Sequence, residues 1–279
     1  MDMARDKPLY NDNELQKIQW ACQHTGVILD DDVLTQSYAK TDIMAFVRGQ
    51  EICSQCKGIT ECSADITGYT PLIDNKGHLV FCQCVAKARQ QVAFNIERNR
   101  KQADIPKLYQ TMTFDTLEIG GNSNTVAMAQ KLAHGDSNKG LYLFGDPGVG
   151  KTHIAIATLQ VYLDRGSGLF YTMPQLAGQL RSLVKDDEAL SALIDKAKTV
   201  GLLVIDDMGA EKWTEYIGER MFELLNDRYV NQRLTIITSN LSLDDLADKM
   251  ADQGPRLASR IKGMCDVRLV TGYDRRLID

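Results

Sequence analysis

The stretch Gly140-Leu141-Tyr142-Leu143-Phe144-Gly145-Asp146-Pro147-Gly148-Val149-Gly150-Lys151-Thr152 decides how this chain is read. Residues 141–144 form a short apolar run that reads as a buried strand, and residues 153–163 carry a helical pattern. Between them stands Gly-x4-Gly-Lys-Thr, so strand, glycine loop and helix follow in the order of a P-loop. Glycines let the backbone turn its N–H groups inward on an anion, and the next helix adds the positive end of its dipole. Lys151 supplies charge to the β- and γ-phosphates, and the Thr152 hydroxyl is a ligand for Mg²⁺. The candidate phosphate-binding set is therefore Gly145, Asp146, Pro147, Gly148, Val149, Gly150, Lys151, Thr152 and His153.

Outward from this loop, apolar runs alternate with helical patterns, which predicts parallel strands joined by helical crossovers. Strands are expected at residues 141–144, 169–172, 202–206, 235–238 and 267–270. Leu202-Leu203-Val204-Ile205-Asp206-Asp207 ends a buried strand in two carboxylates, at the edge where open α/β sheets bind ligands. Asp206 suits the Mg²⁺ of a nucleotide and Asp207 suits a general base for the attacking water. Thr235-Ile236-Ile237-Thr238-Ser239-Asn240 ends likewise in polar residues, with Asn240 a candidate to orient that water or to cap the next helix. Arg256 and Arg260 share one helix face, and either guanidinium can stabilise charge on a γ-phosphate.

The 279 residues suffice for two domains, and 44% hydrophobic with 25% charged residues describes an ordinary globular chain. A net charge of −5 argues against a uniformly basic nucleic-acid binder but leaves room for a basic patch. No apolar run approaches the roughly 18 residues that would cross a bilayer. The opening Met1-Asp2-Met3-Ala4-Arg5-Asp6-Lys7 lacks the apolar core of a signal peptide, so a cytoplasmic protein with no membrane partner is expected.

Five of the seven cysteines crowd between positions 53 and 84. Cys53-Ser54-Gln55-Cys56 is a knuckle, and residues 72–81 read as a hairpin that turns at 75–77 and carries Cys82 back towards Cys56. In a reducing compartment such a cluster reads as a closed structural zinc site, with free or redox-active thiols as the alternative. Cys53, Cys56 and Cys82 are its firmest ligands; the fourth is Cys62 or Cys84, with His78 a weaker candidate. Ahead of it, Leu15, Ile18 and Cys22 fall on one helix face, and a second helical pattern runs from Val33 through Tyr38 to Phe46. Residues 85–101 predict a basic helix with Lys87, Arg89, Arg98, Arg100 and Lys101. Ile105-Pro106 marks the expected boundary between an amino-terminal domain, 1–105, and a nucleotide domain, 106–279.

Residues 140–153, 202–209, 235–240 and 256–261, with Asn226-Asp227-Arg228-Tyr229, together resemble the AAA+ ATPases. Within them the chain is similar to the DnaC/DnaI-type helicase loaders and the related IstB transposition ATPases. The likeness makes Lys151 and Thr152 Walker A, Asp206 and Asp207 Walker B, and Asn240 sensor 1. It makes Arg260 an arginine finger acting on a neighbouring subunit's nucleotide, and Arg275 or Arg276 sensor 2. Two departures stand out. Many AAA+ proteins have Asp-Glu where this chain has Asp206-Asp207, and with only nine residues after Val270 an AAA+ sheet lacking the usual helical lid is expected.

The cysteine layout, with Gly68-Tyr69-Thr70-Pro71-Leu72 between its halves, resembles the zinc domain by which DnaI-type loaders hold the replicative helicase. What the resemblance implies is an ATP- and Mg²⁺-dependent helicase loader that assembles with copies of itself and contacts single-stranded DNA. Arg181, Lys185 and Lys196 are candidate DNA contacts. The alternative is an IstB-like transposition helper acting with duplex DNA and a transposase. A small-molecule P-loop kinase is disfavoured by the Arg256/Arg260 pair and by the cysteine module.

Overall fold

Parallel strands buried on both faces need apolar runs with little alternation, and the second half of the chain supplies five of them. A computed structural model describes residues 9–74, 76–250 and 253–274. They divide, between Phe94 and Asn95, into two compact units, which are taken one at a time.

The amino-terminal unit contains α1 (Asp12–Thr25), α2 (Asp31–Leu34) and α3 (Ala39–Ser54), then the antiparallel pair β1 (Tyr69–Ile73) and β2 (Leu79–Gln83) and the start of α4 (Val85–Gln102). Asn11 opens α1 with a capping box: its side chain accepts the Glu14 N–H while Glu14 accepts the Asn11 N–H. Ile18 and Ala21 turn inward to meet Ile43, Phe46, Val47 and Ile73, whereas Leu15 of the expected stripe is largely exposed. The second helical pattern is split, because α2 ends at Leu34 and α3 starts at Ala39. The hairpin turns between Asp74 and His78, as the sequence predicts, with the Asp74 carboxylate accepting the Lys76 and His78 N–H groups.

The second unit carries α5 (Ser123–His134), β3 (Gly140–Phe144), α6 (Lys151–Tyr162), β4 (Gly168–Thr172), α7 (Met173–Ser182) and α8 (Asp187–Thr199). It continues through β5 (Leu202–Asp206), α9 (Glu215–Val230), β6 (Leu234–Ser239), α10 (Leu243–Lys249), α11 (Gly254–Met264) and β7 (Cys265–Leu269). The strands form one parallel sheet in the order β4-β5-β6-β3-β7. Leu141, Leu143, Val204 and Ile236 pack on one face with α5 and α6; Tyr142, Leu203, Ile205 and Ile237 pack on the other with α7 to α11. All five expected strands form, and the last begins two positions earlier than read, at Cys265.

The unit boundary lies upstream of Ile105-Pro106. Asn99 donates to the Leu163 and Gly166 carbonyls, Arg100 pairs with Asp164 at 2.8 Å, and the Phe170 N–H donates to Ala103 O. The end of α4 and the segment after it are thereby stitched to the second unit, which a proline signal alone does not reveal. No helix among the described residues is long and apolar enough to cross a membrane.

Candidate nucleotide site

Because all five strands run the same way, their carboxyl ends bring the loops after β3, β5 and β6 to one edge of the sheet. The loop at 145–150 leaves β3 in conformations that L side chains rarely adopt. Gly150 has φ 102°, and a Cβ on Gly145, at φ 141°, would lie 2.2 Å from the Val270 carbonyl oxygen. Val149 is buried below the loop, whereas Pro147, Gly148 and Gly150 line a cavity of about 470 Å³ with Lys151, Thr152, His153, Asp206, Asp207 and Asn240.

Lys151 is buried at the first turn of α6. Its ammonium donates to the Gly145 and Asp146 carbonyls at 2.8 and 2.7 Å and to Asn240 Oδ1 at 2.8 Å. A phosphate in the cavity would offer charged oxygens to the same ammonium in place of these carbonyl and amide acceptors. Asp206 is 4% exposed, and its Oδ1 accepts the Thr152 hydroxyl at 2.8 Å and the Thr238 hydroxyl at 2.6 Å. Burial raises the Asp206 pKa, an effect that the two hydroxyls oppose. A buried carboxylate beside a threonine hydroxyl is a hard-oxygen donor set that fits Mg²⁺. Asp207 has φ 58°, a left-handed backbone rare outside glycine, and its N–H is held by Thr238 Oγ1 at 2.9 Å.

Other site residues fall elsewhere. The His153 ring stands at the cavity wall and bonds Thr113 O at 2.8 Å, which ties the preceding segment to the loop. Asp146 is exposed at the loop tip. Arg260, on α11, does not line the cavity; its Nε donates to Asn226 Oδ1 and its guanidinium lies over the Tyr229 ring. Arg275 and Arg276 lie outside the described residues.

Four residues to which linear motifs assign no role belong to the site or its frame. Tyr109 and Met112 form part of the cavity wall. Thr238 joins the two carboxylate positions; only its place in a strand beside Asp206 reveals this, and a linear motif does not show pairing. Arg228 is fully buried on α9 and donates to the Ala197, Val200 and Leu234 carbonyls and to Thr235 Oγ1. Burial pushes its pKa down to about 9. It anchors α9 to the α8 end and the start of β6, and therefore steadies the strand that carries Thr238.

The five cysteines expected as zinc ligands are not all brought together among the described residues. Cys53 sits in the last turn of α3, Cys56 in the following turn, Cys62 after the short turn Ile59–Glu61, Cys82 in β2 opposite Thr70, and Cys84 at the start of α4. Cys53, Cys56 and Cys62 face one open depression, with Cys82 and Cys84 outside it. Among the described residues no three His, Cys, Asp or Glu side chains are gathered as a metal site requires, and none of the five cysteines is in a disulfide. Local bonds explain where two of them rest. Cys84 Sγ accepts the Lys87 N–H, and the Gly68 and Ala64 N–H groups lower the Cys62 pKa.

This geometry defines a P-loop nucleotide-binding protein. The profile of the IstB-like ATP binding protein family matches residues 67–272, and the chain belongs to that family. It is similar to the replicative helicase loader DnaI of Bacillus subtilis (strain 168), 24% identical over 288 residues that span 94% of this chain and 89% of the relative. It is also similar to an insertion sequence IS21 putative ATP-binding protein of Pseudomonas aeruginosa, 30% identical over 159 residues that span 56% of this chain and 59% of the relative. The crystal structure of a DnaI chain covers 64% of this chain and all of itself, with a TM-score of 0.56 and 25% identity. The five-stranded sheet flanked by helices is thus the AAA+ α/β fold of the helicase loaders.

Proposed function

We propose that this protein is an ATP-dependent loader of the replicative DNA helicase onto single-stranded DNA. One observation carries the reading: the similarity to DnaI runs through both units, over 94% of the chain, whereas the similarity to the IS21 protein spans 56%. The amino-terminal unit then holds the helicase, and the second unit times its release.

Lys151 exchanges the Gly145 and Asp146 carbonyls for phosphate oxygens, which frees Asn240 to orient the attacking water. Thr152 and Asp206 hold Mg²⁺, which supplies positive charge to the phosphates when bound. Asp207 accepts the proton of the water. Arg260 of a second copy approaches the γ-phosphate, so hydrolysis follows assembly and acts as a switch. Arg181 on α7, Lys185 after it and Lys196 on α8 are the basic residues offered to the strand.

The test is capture of the full chain by hexameric replicative helicase. Retention with ATP supports the loader. Retention by a transposase and duplex DNA, with no helicase bound, favours the transposition helper instead.

A further inference from the structure

On α9, Phe222, Asn226 and Tyr229 follow at i, i+4 and i+7 and share one helix face. On α11, Arg256 and Arg260 are also four apart, and each meets a member of that row. The Arg256 guanidinium lies 4.4 Å from the Phe222 ring centroid and that of Arg260 5.1 Å from the Tyr229 centroid. Arg260 Nε donates to Asn226 Oδ1 at 2.7 Å. Gly263 makes the approach possible, since a Cβ there would stand 2.7 Å from the Tyr229 ring. Neither arginine forms an ion pair with a carboxylate among the described residues, although like charges four apart repel.

We infer that Asn226 and Tyr229 are positioning residues that pre-orient Arg260 for a triphosphate bound by a second copy of this chain. The inference rests on the trans-acting reading of Arg260 given above. Asn226 occupies Nε and the ring lies against the guanidinium face, so the planar fork keeps its Nη edge for an anion. Fixing the guanidinium before assembly removes rotamer freedom that a long side chain otherwise loses when it meets the phosphate. Arg256 on Phe222 places a second cation beside the first.

A mixing experiment separates this role from simple stitching of α9 to α11. One full-length variant, Arg260→Ala, keeps its nucleotide site but offers no finger. The other, Lys151→Ala, offers the finger but lacks the phosphate-binding lysine. Their mixture hydrolyses ATP through one finger in one site. Adding Asn226→Ala to the Lys151→Ala copy lowers the mixed rate by about tenfold or more, because a small misplacement forfeits part of a finger's effect. The same substitution in the Arg260→Ala copy leaves the rate unchanged within about twofold, far below the cost of a lost transition-state contact. Asn226→Asp, which keeps the accepting oxygen, restores most of the rate. Equal loss in both placements, or loss in neither, overturns the positioning role. No hydrolysis in the starting mixture overturns the trans-acting reading, and the positioning role with it.

Discussion

Both units carry a dense cluster of reactive side chains, and they treat those clusters differently. In the second unit, Lys151, Thr152, Asp206, Thr238 and Asn240 arrive from one helix and from the carboxyl ends of neighbouring parallel strands. Bonds of 2.6–2.8 Å lock them together without any ligand. In the amino-terminal unit the five cysteines hang from a helix end, two turns, a strand and a helix start, and do not converge. The difference lies in what sets position. Strand register fixes the first group to a fraction of a residue, whereas short elements around a small core leave thiols where local hydrogen bonds put them.

Substitutions can break or sharpen this contrast. Arg228→Ala should have the largest effect on stability, about 3–5 kcal/mol, because it strips buried carbonyls of their donor and empties a packed site. The loss should appear in the melting of the second unit, with the amino-terminal unit unchanged. Thr238→Val keeps the shape but removes the hydroxyl that joins Asp206 Oδ1 to the Asp207 N–H. It should lower kcat roughly tenfold or more while ATP affinity holds, and Thr238→Ser should recover it.

Asp206→Asn should act in opposite directions on stability and activity. Burial raises the Asp206 pKa, so the native chain binds the proton more readily than the unfolded chain, and stability falls as pH rises above the ordinary carboxylate range. The ligand-free variant should therefore melt higher than the parent at neutral pH. The gap should close as pH falls to about 4, where the unfolded carboxylate also takes up its proton. Hydrolysis should be lost. The smallest effect is expected from Cys53→Ser with Cys56→Ser, within about 0.5 kcal/mol, as for other surface positions with no buried network. Unfolding of the amino-terminal unit by that pair, or by a chelator, would instead support the zinc site that the cysteine spacing predicts.

The sheet and the phosphate loop were legible because their signals are local: apolar runs give strands, and Gly-x4-Gly-Lys-Thr between a strand and a helix admits few other readings. Asp206 and Asn240 were legible because both end apolar runs, and parallel strands deliver their ends to one edge. Thr238 and Arg228 were hidden, since each acts through partners distant in sequence, in another strand or helix. The cysteines are a harder case for a related reason. Spacing along a chain fixes a metal site only when the backbone brings the halves together, and the depression lined by Cys53, Cys56 and Cys62 does not include Cys82 or Cys84. The unit boundary inside α4 depends on the Asn99 and Arg100 contacts, which no composition change announces.

Helicase deposited on closed circular single-stranded DNA is the most direct measure of the proposed division of labour. With the intact chain and ATP, helicase should be recovered on the circles. With Lys151→Ala it should be captured by the loader yet fail to transfer. Equal deposition without the chain, or with Lys151→Ala in its place, would contradict the account.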